Sequence, residues 1–162
     1  MKKILIWLLA TSIIACNNSA NQKEEVTASV VEQLTGEWNN LSIRVEINSK
    51  NNADSNEVFE VGRPQWEEKL KIKPIRTFFR ADSTWNSAHY NLKDSLVYDP
   101  SGKWWIERDK LTMLQLLPSS DTTVYDFTLK NGIASFKCML DWDMDGEKDD
   151  QYFGIQRKVI SP

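Results

Sequence analysis

The chain has 162 residues, 41% of them hydrophobic and 27% charged, with a net charge of -3 at pH 7. That length suits a single domain, and the mildly acidic balance without a Lys/Arg cluster argues against a nucleic-acid partner or a basic membrane-binding patch. With Cys16 and Cys138 the only cysteines and His89 the only histidine, the residues for a zinc cluster or a Cys/His nucleophile pair are too few.

Lys2 and Lys3 precede Ile4 to Ala15, an uncharged and mostly apolar run of twelve residues. A membrane-spanning helix needs about 20 residues, so the run reads as a cleavable export signal over 1–15. It ends in Ile13-Ile14-Ala15-Cys16, which resembles the bacterial lipobox: an aliphatic residue three before the cysteine, a small one just before it, and the cysteine at the cut. The resemblance implies diacylglycerol on the Cys16 sulfur and an N-acyl lipid on its new amino terminus, hence a membrane-anchored protein of the cell envelope. Asn17 stands where enterobacterial lipoproteins kept in the inner membrane carry Asp, which favours the outer membrane. Cleavage removes two lysines and no acid, so the net charge becomes -5. Because acylated Cys16 cannot pair with Cys138, the fold depends on its core.

Asn17 to Glu25 is too polar to bury surface and reads as a tether. Lys23-Glu24-Glu25 is similar to the surface-export signals of Bacteroidetes lipoproteins, but lies several residues further from the cysteine. Val26, Val30 and Leu34 fall at i, i+4 and i+8, which predicts a short helix that can plug a barrel. Residues 16–33 are thus lipidated cysteine, tether and helix, and 34–162 the folded domain.

From Trp38 onward short apolar and β-branched runs are divided by turn residues, the pattern of an all-β domain. Leu41 to Ile47 alternates in phase. Asn48 to Pro74 is a long, elaborated connection, read as an extra hairpin at the barrel mouth. Strands follow at Ile75 to Arg80, Thr84 to Leu92, Lys103 to Arg108 and Lys110 to Leu117, with turns at Asp82-Ser83, Asp99 to Gly102 and Arg108-Asp109. Tyr125 to Lys130 pairs with the strand carrying Phe136, Cys138 and Leu140 across the Asn131-Gly132 turn, and Gln151 to Lys158 completes the set. About eight consecutive strands with tight connections suit an up-and-down antiparallel barrel with a short N-terminal helix; a two-sheet sandwich is the competing solution.

Leu34-Thr35-Gly36-Glu37-Trp38 resembles the Gly-x-Trp signature of lipocalins and of the lipocalin-like lipoproteins of Bacteroidetes. There the Trp closes one barrel end and Gly allows the backbone a tight approach. Trp38 is out of phase with Leu41 and Ile43, so a bulge at Asn39-Asn40 is expected. Thr77 to Thr84 is similar to that family's "F-x-x-D-G-T" turn, with Ser83 in place of Gly, and Gly102 to Leu111 is similar to its "G-x-W-x-I-x-x-D-x-L" hairpin. The resemblance implies a lipocalin-like barrel that holds a small apolar molecule, and it supplies no catalytic residue.

Asp141, Asp143, Asp145 and Asp149 stand at positions 1, 3, 5 and 9 of a loop with Gly146 at 6 and the Glu147 carbonyl at 7. This spacing is that of D-x-D-x-D-G calcium loops. Tyr152 occupies position 12, where an EF-hand carries Glu, so the loop is more similar to those inserted in β-hairpins of extracellular proteins. A structural Ca2+ held at roughly 10⁻⁴ to 10⁻³ M affinity is one reading, and a hairpin tip kept soluble by its charge is the other. Adjacent Trp104 and Trp105 must point to opposite faces. His89 reads as a wall residue and Cys138 as a small core hydrophobe. No Gly-rich phosphate loop or buried carboxylate pair supports an enzyme. Three functions therefore stand, in this order: a carrier or sensor of a small, partly apolar ligand; a structural or interaction lipoprotein whose barrel is filled and which contacts an envelope protein; and, last, an enzyme.

Overall fold

The computed structural model describes residues 30–50 and 53–160, so Cys16, the signal and the tether lie outside the described residues. Residues 30–34 form helix α1, followed by strand β1 (Gly36–Lys50), strand β2 (Ala53–Gly62), a 3-10 turn (Arg63–Gln65) and helix α2 (Trp66–Leu70). Strands β3 (Arg76–Phe79), β4 (Thr84–Tyr90), β5 (Leu96–Tyr98), β6 (Ser101–Glu107) and β7 (Lys110–Leu117) come next. The chain ends in β8 (Asp121–Lys130), β9 (Ile133–Leu140) and β10 (Asp150–Lys158).

Antiparallel pairing runs β1-β3-β4-β6-β7-β8-β9-β10 and returns from β10 to β1, closing an eight-stranded barrel. The expected all-β up-and-down barrel with a short N-terminal helix is the fold observed. Closure satisfies both edges of every barrel strand, which an open sheet cannot do. The expected tight turns form as expected: Arg108 and Asp109 have φ of 51° and 61°, and Asn131 and Gly132 have 52° and 72°. Such left-handed pairs match the twist of a two-residue hairpin.

β1 is long enough to do two jobs. Its first residues pair with β3 (Trp38 opposite Thr77), and its second half pairs on the same side with β2 (Val45 opposite Phe59), while β10 follows its other side. The barrel therefore splits between β2 and β3. The indole of Trp66, fully buried among Ile43, Val45, Ile47 and Val61, fills the split from α2. The connection over 48–74 thus contains the extra hairpin expected of it, together with a helix. β5, which the sequence pattern did not suggest, adds to β4 outside the barrel circle.

Register shifts occur in four of the strand pairings, and two of them lie within the barrel circle. In β1 the register with β10 slips between Asn40 and Ser42, which makes Leu41 the extra residue. Trp38 and Asn40 face inward before it and Ile43, Val45 and Ile47 after it. The bulge thus falls one residue later than expected, and Asn40 is buried, its N–H bonded to the Ile75 carbonyl and its carbonyl to Arg63. The second bulge lies where Ser101 pairs with Leu117 but Gly102 with Gln115. A Cβ on Gly102 would sit 1.9 Å from the Leu114 carbonyl oxygen, so only glycine permits this approach. Ser101 and Gly102 consequently open β6 and are not the end of a turn.

One barrel end is shut. Leu34 of α1 packs with Trp38, Phe79, Trp85, Trp104, Leu111, Ala134 and Phe136. Gly36 takes φ of 131°, and Trp38, 1% exposed, donates its indole N–H to the Leu34 carbonyl at 2.7 Å. Lys158 crosses above the Trp38 ring and donates to the Gln33 carbonyl. Trp104 is buried here while its neighbour Trp105 is exposed, the opposition that strand geometry requires.

Candidate functional site

Above the shut end lies a cavity of about 840 Å³ that reaches the opposite end of the barrel. Its floor is aromatic: Phe79, Trp85 and Phe136, all buried. A polar ring follows, made of Asn40 on β1, Thr77 on β3, Ser87 on β4 and Gln156 on β10. The Thr77 and Ser87 hydroxyls bond each other at 2.9 Å, and Gln156 Nε2 donates to Asn40 Oδ1 at 3.2 Å. The walls return to apolar and aromatic chemistry with Ile43, Ile75, Met113, Tyr125, Leu140 and Tyr152. Gly154 shapes the wall, because the Tyr152 hydroxyl lies 2.3 Å from where a Cβ would stand and the ring folds over the strand.

Tyr98, Pro100, Ser120, Asp121, Met144 and Lys148 frame the mouth. Lys148 and Asp121 form an ion pair of 2.8 Å across it, both about half exposed. Leu96, Val97, Tyr98, Leu116, Leu117 and Met144 are large hydrophobic side chains exposed near this end.

His89 lines the cavity and packs edge-on to Tyr98 at 5.1 Å. Burial lowers its pKa, with Asp99 opposing, so the imidazole is neutral at pH 7. Burial likewise raises the pKa of the Tyr125 and Tyr152 phenols. Cys138 is buried and its thiol is pushed up to about 12 by desolvation, so it is no thiolate nucleophile.

The acidic loop joins β9 to β10 at the mouth. Carboxylate oxygens of Asp141, Asp143 and Asp150 lie within 4.8 Å of one another. Of the carboxylates expected to hold calcium, those of Asp141 and Asp143 are brought together, whereas those of Asp145 and Asp149 are outside this group; Glu147 was expected to offer its backbone carbonyl and not its carboxylate. Asp150, beyond the expected ligand set, joins it. It is fully buried and accepts backbone N–H groups from Asn48 and Trp142 at 3.2 and 2.8 Å. Asp145 caps the Glu147 N–H and accepts the Ser49 hydroxyl, which ties the loop to β1. Phe59 of β2 stacks on Trp142 at 5.3 Å. Desolvation and then the charges of Asp145, Asp150 and Asp141 raise the Asp143 pKa. Asp141 Oδ2 accepts the Gly146 N–H, while Oδ1 is buried without a hydrogen-bond partner among the described residues. Such an oxygen-rich set is chemistry that a hard divalent cation accepts.

Sequence reasoning placed Gly36 and Trp38 at the barrel end but did not find Asn40 and Gln156. Only the position of the bulge turns Asn40 inward, and Gln156 follows as its partner across the ladder. No protein-family model and no curated protein matches the chain.

Proposed function

We propose that the protein is a lipocalin-like lipoprotein, anchored in the outer membrane by acyl chains on Cys16, whose barrel binds a small, partly apolar molecule. The cavity carries this reading. Its volume of about 840 Å³ falls among small-molecule sites, and its apolar walls with few polar groups have their usual composition. That volume argues against the alternative of a filled barrel that serves only to contact an envelope protein. A structural calcium ion in the acidic loop is the accessory part of the proposal, with Asp141, Asp143 and Asp150 as ligands.

Binding is tested with the full-length lipidated protein in phosphatidylcholine nanodiscs, titrated with the neutral dye N-phenyl-1-naphthylamine against empty discs. The expected result is saturable, one-site fluorescence that Thr123→Trp, a cavity-filling change in the wall, abolishes while the far-UV circular dichroism stays unchanged. Fluorescence equal to that of empty discs, or equal binding by the filled variant, refutes the carrier reading.

A further inference from the structure

The cavity is lined by a polar group that no described residue satisfies, and its surroundings define what does. Gln156 is 9% exposed and its Oε1 is buried, yet among the described residues that oxygen has no hydrogen-bond partner. The amide lines the cavity on the ring above the aromatic floor, held on its other side by Asn40 at 3.2 Å. A buried acceptor left without a donor is unfavourable, so a ligand that brings a donor recovers a penalty already present in the protein. The same amide turned by half a rotation puts N–H in the place of this oxygen, and a hydroxyl, donor and acceptor at once, suits either.

Charge selects further. The fixed charges among the lining residues, Asp121, Asp141 and Lys148, stand at the mouth, and Lys148 is already paired with Asp121. Gln156 shares the lining with the neutral polar groups Asn40, Thr77 and Ser87 and with His89, whose pKa burial lowers, so apart from Asp121, Asp141 and Lys148 no fixed charge among the lining residues meets a carboxylate or an amine. A charged head at that depth would lose its hydration without compensation.

We infer that the cavity is selective for neutral amphiphiles with a hydroxylated head, bound head-down, the hydroxyl on Gln156 and the apolar body along the walls toward the mouth. This rests on the carrier reading and gives it a ligand class and an orientation.

Three probes of one shape make the test: 1-pyrenemethanol, 1-methylpyrene and 1-pyrenecarboxylate. Each is titrated into full-length protein in phosphatidylcholine nanodiscs, with empty discs subtracted, and read by energy transfer from Trp85 and Trp142, which line the cavity. The alcohol is expected to bind about tenfold or more tightly than the methyl compound and the carboxylate more weakly than both. Gln156→Met, similar in length and without the amide, is expected to bring alcohol and methyl compound to equal affinity and to leave the methyl compound bound as before. If the three probes bind equally to the native protein, or if Gln156→Met keeps the preference for the alcohol, the head-down inference fails while the carrier reading stands. Should none of them transfer energy above the empty-disc background, both fail. Asn40→Leu provides a check if Gln156→Met does not fold, because it leaves the amide unanchored and is expected to weaken the same preference.

Discussion

Trp38 and Trp66 are indoles of equal burial and unequal satisfaction. Trp38 donates to the Leu34 carbonyl, whereas the Trp66 N–H is buried without an acceptor among the described residues. Trp→Phe removes ring volume at both sites, but at Trp38 it also strands a carbonyl, and at Trp66 it removes an unpaired donor. Trp38→Phe is expected to lower stability by about 2–4 kcal/mol and Trp66→Phe by about 1–2 kcal/mol less than that, measured by urea unfolding. Equal losses, or the larger one at Trp66, would contradict this assignment. The two residues also differ in how legible they were. Gly36 and Trp38 could be read because the positive φ of Gly36 and the indole plug are local demands of a barrel's first turn. The partner that Trp66 finds under β1 and β2 depends on where the barrel splits, which no local pattern encodes.

Strands were most legible where side chains alternated between core and solvent, as along β1 after its bulge, β8 and β9. β5 escaped because Leu96, Val97 and Tyr98 are all exposed, so no alternation marks it. The acidic loop was readable as a charge cluster, but its geometry was not, since Asp150 enters the group through the backbone donors of Asn48 and Trp142, one of them 102 residues away. Its energetics carry a sign that can be measured. Without cations, Asp143→Asn removes a carboxylate disfavoured first by desolvation and then by the charges of Asp145, Asp150 and Asp141, and is expected to raise the melting midpoint in chelator. With 10 mM calcium and a dissociation constant of about 10⁻³ M, the native protein gains about 1.4 kcal/mol, a rise of roughly 3–5 °C that the variant lacks. An unchanged native midpoint in calcium assigns the loop to charge solvation alone, and a lowered variant midpoint in chelator contradicts the repulsion.

At the scale of the molecule, closure was legible and polarity was not. Eight short strands with tight turns leave two edges unless they close, which favoured a barrel over the competing two-sheet sandwich. Which end opens depends on α1 packing beneath Trp38 while the long hairpin and acidic loop stand around the other rim, a matter of connections that carry no periodic signal. The result is a core in two bodies, one at the shut end and one beneath the β1–β2 hairpin, with the cavity beside them. β1 runs through both, and Tyr152 on β10 touches both. This linkage predicts that they unfold together despite the hollow. Urea transitions followed by tryptophan fluorescence and by far-UV circular dichroism should coincide. Gly154→Ala, which drives the Tyr152 ring off the strand, should lower both midpoints equally, by the equivalent of about 1–3 kcal/mol for an overpacked site. A fluorescence transition that precedes the loss of strand signal would instead mean that the hairpin body melts alone, and that the cavity wall it shares is the weakest part of the barrel.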